Sequence, residues 1–145
     1  MNINQISIFL ENRPKHLSEI CRTLSRANVS IVTLSLADTA DFGIVRMIVS
    51  DHEKARQALA AAGHVVNVRE VLAVTVPDRP GGMAEIMELL DSAGVNIEYS
   101  YAFAFHHGEK AVLVFRFDDN AKAAKVLEAA GVITLNERQI EESAK

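Results

Sequence analysis

A single cysteine, Cys21, stands in 145 residues. That scarcity excludes an intrachain disulfide framework and a cysteine-built zinc cage, and it fits a reducing compartment. Tryptophan is absent, and tyrosine occurs twice. Three prolines and seven glycines are too few for a collagen-like or low-complexity chain. An excess of one charge is lacking as well: 15 basic residues face 19 acidic ones, a net charge of -4. With no Lys/Arg cluster, nothing draws in a phosphate backbone, and no nucleic-acid partner is expected. No apolar run approaches the roughly 20 residues that cross a bilayer. Residues Met1–Gln5 show no basic segment leading into an apolar one. The expectation is a cytoplasmic chain with no secretion signal and no membrane partner. What remains is 49% hydrophobic and 23% charged, the composition of a folded globular protein.

The chain repeats itself once. Arg13-Pro14-Lys15-His16-Leu17-Ser18-Glu19-Ile20 aligns with Arg79-Pro80-Gly81-Gly82-Met83-Ala84-Glu85-Ile86 at an offset of 66, and eight identities accumulate between residues 13 and 31. Further on, Leu59-Ala60-Ala61-Ala62-Gly63 matches Leu127-Glu128-Ala129-Ala130-Gly131 at an offset of 68. The second copy has therefore gained two residues in between, at a hairpin. The repeat divides the chain into domains 1–69 and 70–145. The junction near Glu70 has no Gly, Pro or Ser-rich linker, so the copies are expected to pack as a unit.

Each copy reads as βαββαβ. In the first, Gln5–Leu10 alternates in the manner of a strand. Helical spacing of Leu17, Ile20, Cys21 and Leu24 predicts a helix from about Pro14 to Ala27. Strands at Val29–Leu36 and Gly43–Val49 flank a turn at Asp38–Asp41. Asp51 is placed to cap a second helix that ends before Gly63, and Val65–Arg69 closes the copy. The second copy predicts strands at Val71–Val76, Ile97–Phe105, Ala111–Phe117 and Val132–Leu135, helices at Gly82–Ala93 and Asp118–Ala130, and a turn at His106-His107-Gly108. The fold class is α+β: two ferredoxin-like βαββαβ domains, each an antiparallel four-stranded sheet with two helices on one face. Residues Asn136–Lys145 read as a short or frayed helix. A copy of about 70 residues buries little surface alone. Strands apolar on both faces, such as Ala111–Phe115, expect cover on both, which points to packing between copies or chains and to a homodimer.

The informative place is the corner between first strand and first helix. In the second copy, Pro80 has no N–H and two glycines add no side chains. The amides of Gly81, Gly82 and Met83 are thus expected to be open at a helix N-terminus, which favours an anion such as a carboxylate. Asp78 is placed to accept an ammonium group or to cap the helix. An anion site beside a cation acceptor suits a free amino acid; a turn that merely caps a helix uses the same residues.

These residues resemble the ACT domain family. The second copy shows Asp78-Arg79-Pro80-Gly81-Gly82-Met83 and Gly94-Val95-Asn96-Ile97, and the first shows Asn12-Arg13-Pro14-Lys15-His16-Leu17 and Asn28-Val29-Ser30-Ile31. The resemblance implies a small regulatory module that binds amino acids where two such modules meet. It implies that Asn12 and Asp78 contact the ligand and that Asn96 completes the site. The first copy departs from the pattern, with Ser30 in the Asn position and Lys15-His16 in place of glycines. The candidate ligand-binding residues are Asn12, Arg13, Lys15, His16, Leu17, Ser30 and Ile31 in one copy, and Asp78, Arg79, Gly81, Gly82, Met83, Asn96 and Ile97 in the other. The second copy's corner is expected to be the better formed.

Catalysis is not expected. The chain has no Gly-x-Ser-x-Gly, no phosphate-binding Gly-rich loop ending in Lys-Ser/Thr and no His-Glu-x-x-His. Cys21 reads as a buried, inert thiol on the apolar face of the first expected helix, with Leu17 and Leu24. His106-His107 read as hairpin decoration, not metal ligands. Ile97, Tyr99, Tyr101, Phe103 and Phe105 at period two predict one aromatic sheet face for packing. No cofactor or metal is expected. The function expected is amino-acid sensing that regulates amino-acid metabolism, with any regulated biosynthetic enzyme on a separate chain. The alternative is a regulatory subunit held to such an enzyme by constitutive protein contact, without a small ligand.

Overall fold

The computed structural model describes residues 2–11, 13–38 and 42–144. Among them, seven strands and five helices run β1 (Ile3–Glu11), α1 (His16–Arg26), β2 (Ile31–Asp38), β3 (Phe42–Val49), α2 (His52–Ala61), β4 (Val66–Pro77), α3 (Gly82–Ser92), β5 (Ile97–His107), β6 (Lys110–Phe117), α4 (Asn120–Ala129), β7 (Thr134–Leu135) and α5 (Glu137–Ser143). The chain divides into two compact units: Asn4–Arg69, and the residues from Glu70 onward together with those up to Ile3.

In the first unit β3 lies between β1 and β2 and is antiparallel to both, with Glu11 opposite Phe42 and Ile31 opposite Val49. In the second unit β6 lies between β4 and β5, and β7 pairs antiparallel with β4. The repeat is above all a repeat of cores. Ile6, Ile8 and Leu10 of β1, Ile20 and Leu24 of α1, and Ala55 and Leu59 of α2 form one buried cluster. Their aligned counterparts, Leu72, Val74, Val76, Ile86, Leu90, Ala123 and Leu127, form the other. The side chains alternate on the strands and recur every three or four residues on the helices, so one strand face and one helix stripe meet in each unit.

Several boundaries differ from the sequence reading. The strands expected at Val65–Arg69 and Val71–Val76 are one strand of twelve residues, β4. Neither Gly nor Pro interrupts Val66–Val76, so the extended backbone continues through the point where the units divide. The expectation of two separate four-stranded sheets is amended accordingly: the strand closing the first repeat and the strand opening the second are the same one. Helix α1 starts at His16, not at Pro14, because Lys15 before it takes a left-handed conformation (φ 74°) that a helix cannot include. Asp51 caps α2 as expected, its carboxylate accepting the Lys54 amide at 3.0 Å, and Asp119 does the same for α4 through the Lys122 amide. The turn after β5 falls on Gly108-Glu109, so His106 and His107 are the last residues of the strand. Of the turn expected at Asp38–Asp41, Thr39–Asp41 lie outside the described residues. Cys21 is half-buried, so the expected full burial of its thiol is not reached.

Strand β5 carries register shifts between Ile97 and Tyr99 and between Ala102 and His106. The first moves Ile97 to the helix-side core while Tyr99 falls opposite Arg116, so the five residues expected on one face do not share it. Phe103 and Phe105 do stay together, with ring centroids 4.9 Å apart. The C-terminal segment is an ordered helix rather than a frayed one. Asn136 and Gln139 form a complete capping box, Ile140 is 3% exposed, and α5 packs on β5 and β7.

Candidate functional site

The corner of the second unit is built by backbone. β4 ends at Pro77, the chain turns through Asp78-Arg79-Pro80, and Gly81 caps α3 with φ 84°, a conformation that glycine alone takes freely. At Gly82 the constraint is space. A Cβ there would stand 1.9 Å from the Pro77 carbonyl oxygen, so the helix start can press on the strand end only if that position has no side chain. The Gly82 amide donates to the Arg79 carbonyl at 2.9 Å, so it is not open as the sequence reading expects. The amides of Gly81 and Met83 make no hydrogen bond among the described residues. Unpaired amides at a helix start carry a partial positive charge. Asp78 Oδ2 lies 2.9 Å from Nε2 of His106, which the β5–β6 hairpin brings over. Arg79 pairs with Glu85 at 2.7 Å, so the turn holds the two amides and an Asp78 carboxylate that is itself engaged by His106. A cavity of about 570 Å³ borders this corner, lined by Thr75, Pro77, Glu85, Glu88, Leu89, Ser92, Lys110 and Val132 among others.

The corner of the first unit is built by side chains. Lys15 takes the place of Gly81 and keeps its left-handed backbone, at a cost of roughly 1–2 kcal/mol for a residue with a Cβ. His16 takes the place of Gly82 and is 9% exposed. Its counterpart has no room for a side chain, but here the strand end has rearranged. Glu11 stands where Pro77 does, and its N–H donates to Nδ1 of His16 at 3.1 Å. The His16 ring stacks on His64, with centroids 5.6 Å apart and planes 27° from parallel. Burial, and then the neighbouring His16, push the His64 pKa below its ordinary value of 6.5. Arg13 bridges Glu11 at 3.3 Å and Glu19 at 3.5 Å. A cavity of about 100 Å³ remains between Leu10, Arg13, His16, Leu17 and Leu36. Asn12 lies outside the described residues.

Ser30, Ile31, Asn96 and Ile97 sit at the other ends of the units. Ser30 is fastened to Ser50, its N–H donating to Oγ and its carbonyl accepting from the Ser50 N–H, both at 2.9 Å. Asn96 is fastened to Asp118 in the same way, at 3.0 Å each, with its side chain exposed. On β6, Pro77 pairs with Lys110 and Ile97 pairs with Phe117. Seven residues of strand, about 23 Å, separate the two ends. Within one unit, therefore, Asn96 does not meet Asp78; in the first unit the opposite ends of β3 separate Ile31 from Glu11 likewise. Sequence reasoning missed three neighbours, Glu11, His64 and His106. The first two carried a signal, since aligning the repeats sets Glu11 against Pro77 and His64 against Val132. His106 carried none, because its approach to Asp78 depends on the bulged register of β5. Among the described residues, no three His, Cys, Asp or Glu side chains converge as a metal site would need, and no helix is long and apolar enough to cross a membrane.

Two α+β units of one topology, each with a glycine- or lysine-capped strand-to-helix corner, define a class of duplicated ferredoxin-like module. The chain belongs to the ACT domain family: residues 1–143 match an ACT domain pair. Among solved structures, protein BT0572 from Bacteroides thetaiotaomicron is 37% identical, with 97% of this chain and 96% of that one covered and a TM-score of 0.90. The regulatory subunit of aspartate kinase from Thermus thermophilus shares the fold at 16% identity, 88% and 91% coverage and a TM-score of 0.61. Aspartate kinase from Synechocystis shares it at 23% identity and a TM-score of 0.59, with 92% of this chain matched to 26% of that one. No curated protein matches the chain.

Proposed function

We propose that this protein is a non-catalytic regulator that senses a free amino acid at a seam between ACT modules, acts as a homodimer, and passes the signal to a separate biosynthetic enzyme. The observation that carries this reading is the second-repeat corner, where the amides of Gly81 and Met83 make no hydrogen bond among the described residues and Asp78, bonded to His106, belongs to the same turn. The amides suit the α-carboxylate, and Asp78 suits the α-ammonium group. Arg79, Gly82 and Met83 shape the turn. Asn96 and Ile97 stand about 23 Å from that corner within their own unit, so a site that uses them together with Asp78 draws them from two modules. In the first repeat Arg13, Lys15 and Leu17 form a second and unequal corner in which His16 occupies the space of a glycine, while Ser30 and Ile31, the counterparts of Asn96 and Ile97, stand at the far end of their unit. Millimolar affinity requires about 4 kcal/mol. Two or three charge-assisted hydrogen bonds at roughly 1.5–3 kcal/mol each are enough before ordering costs. Ligand at a seam stabilises one arrangement of modules over another, which is how binding becomes a signal.

Support for a separate target comes from the fold relatives. One is the regulatory subunit of aspartate kinase, matched over 91% of its chain, whereas in another the matched part is 26% of an aspartate kinase chain, the joined form of the same pairing. The same relatives keep the alternative in view, a subunit held to its enzyme by constitutive contact alone. Thermal melts of the full chain with each common amino acid decide between them. Binding to the folded state raises Tm by mass action. The expected result is a shift with one amino acid or a related few that disappears in Asp78→Ala while the unliganded melt is kept. No shift with any amino acid overturns the sensing reading in favour of the constitutive one.

A further inference from the structure

We propose that His16 and His64 form an acid-released latch on the strand-to-helix corner of the first repeat: two neutral, stacked rings hold the end of β1 to the start of α1, and protonation of the pair lets it go. The geometry sets the protonation state. Nδ1 of His16 accepts the Glu11 N–H at 3.1 Å. An acceptor nitrogen needs its lone pair, and an imidazolium has none to offer. A proton on Nδ1 therefore deletes a side-chain hydrogen bond that ties the helix start to the strand end.

The surroundings sharpen the response. The rings lie face to face at 5.6 Å, so a charge on one opposes a charge on the other. The charged groups around them are Glu11 on β1, Arg13 and Lys15 in the corner and Glu19 on α1. Arg13 already engages both carboxylates, which blunts their pull on an imidazolium. His64 is partly buried, and that burial is the first cause of its lowered pKa. The cavity of about 100 Å³ beside His16 gives the released ring somewhere to move.

The second repeat is an internal control. All three parts of the latch are replaced there: Pro77 has no N–H to donate, Gly82 has no ring, and Val132 stands at the aligned place of His64. At that corner the helix start is pressed on the strand end with no room for a Cβ at Gly82, and the Gly82 amide donates to the Arg79 backbone carbonyl, which does not titrate, while the Asp78–His106 bond runs to β5 and does not involve that amide. The two corners of one chain thus answer pH differently. This inference stands independently of amino-acid binding.

The test is amide hydrogen exchange of the full chain, read by NMR and corrected for intrinsic exchange, from about pH 7.5 to about pH 5.5, a range that spans the ordinary titration of histidine. The expected result is a protection factor for the Glu11 amide that falls about tenfold or more over this range, while that of the Gly82 amide stays level. His16→Gln supplies a side-chain oxygen that accepts the same amide without titrating, and its Glu11 protection is expected to stay level with pH. A flat wild-type profile for Glu11 overturns the proposal without recourse to any variant. So does a fall of equal size at Gly82, or a fall in His16→Gln as large as in the wild type.

Discussion

Gly81 and Gly82 are neighbours in sequence with different reasons to be glycine. Gly81 has φ 84° and open space around it, so an alanine there meets only backbone strain, about 1 kcal/mol. Gly82 has the Pro77 carbonyl against it. Gly82→Ala is therefore expected to cost more, about 1–3 kcal/mol, because the helix start must shift away from the strand. Urea melts of the two variants check this, and equal losses would contradict it. A second expectation at this scale concerns pH. The folded-state pKa of His64 lies below its ordinary value, so the unfolded chain takes up that proton more readily. The stability tied to a neutral His64 is complete above about pH 6.5 and drains away as pH falls toward the lower folded-state value. His64→Val should flatten that decline; melts of both proteins at a series of pH values decide, and an unchanged slope would refute it. Of these residues, the glycines were legible from the motif as turn residues, while the bond from the Gly82 amide to Arg79 and that from Asp78 to His106 were not. Aligning the repeats sets Glu11 and His64 apart from Pro77 and Val132, but what they touch was not legible, since a bond to the His16 ring and a ring stack depend on how the corner folds.

At the scale of elements, βαββαβ twice over was readable because apolar residues recur at period two on the strands and at helical spacing between them. Local backbone chemistry moved the ends. A left-handed Lys15 delays α1, two bulges twist β5, and an unbroken extended run fuses two expected strands into β4. Helix α5 shows the limit of periodicity. Seven residues with one buried apolar side chain have no readable stripe, yet the capping box and Ile140 hold the helix. Asn136→Ala is expected to cost about 1 kcal/mol through the lost cap, and Ile140→Ala about 2–5 kcal/mol through the emptied site. Denaturant unfolding measures both, and a loss near zero for Ile140→Ala would mean that α5 is not part of the cooperative fold.

At the scale of the whole molecule, the reading as a homodimer predicts a solution mass near twice 15.9 kDa, measured by sedimentation equilibrium; a monomer at all concentrations would remove that part of the proposed function. A further expectation follows from the distance between the two ends of a unit. If one seam site takes Asp78 from one module and Asn96 from another, Asp78→Ala and Asn96→Ala should abolish the same amino-acid shift, and a shift that survives Asn96→Ala confines the site to the corner. By itself the sequence determined the duplication, the α+β class, both cores and the two corners, because hydrophobic period, turn residues and an internal alignment are local or self-referential properties of a chain. Tertiary structure alone decided that the Gly82 amide is spent on Arg79, that His106 lies on Asp78, that His16 fills the space its counterpart leaves empty, and that Asn96 stands at the far end from its supposed partner. The physical reason is the same each time: hydrogen-bond partners and free volume are set by segments that packing brings together, and no spacing along the chain records them.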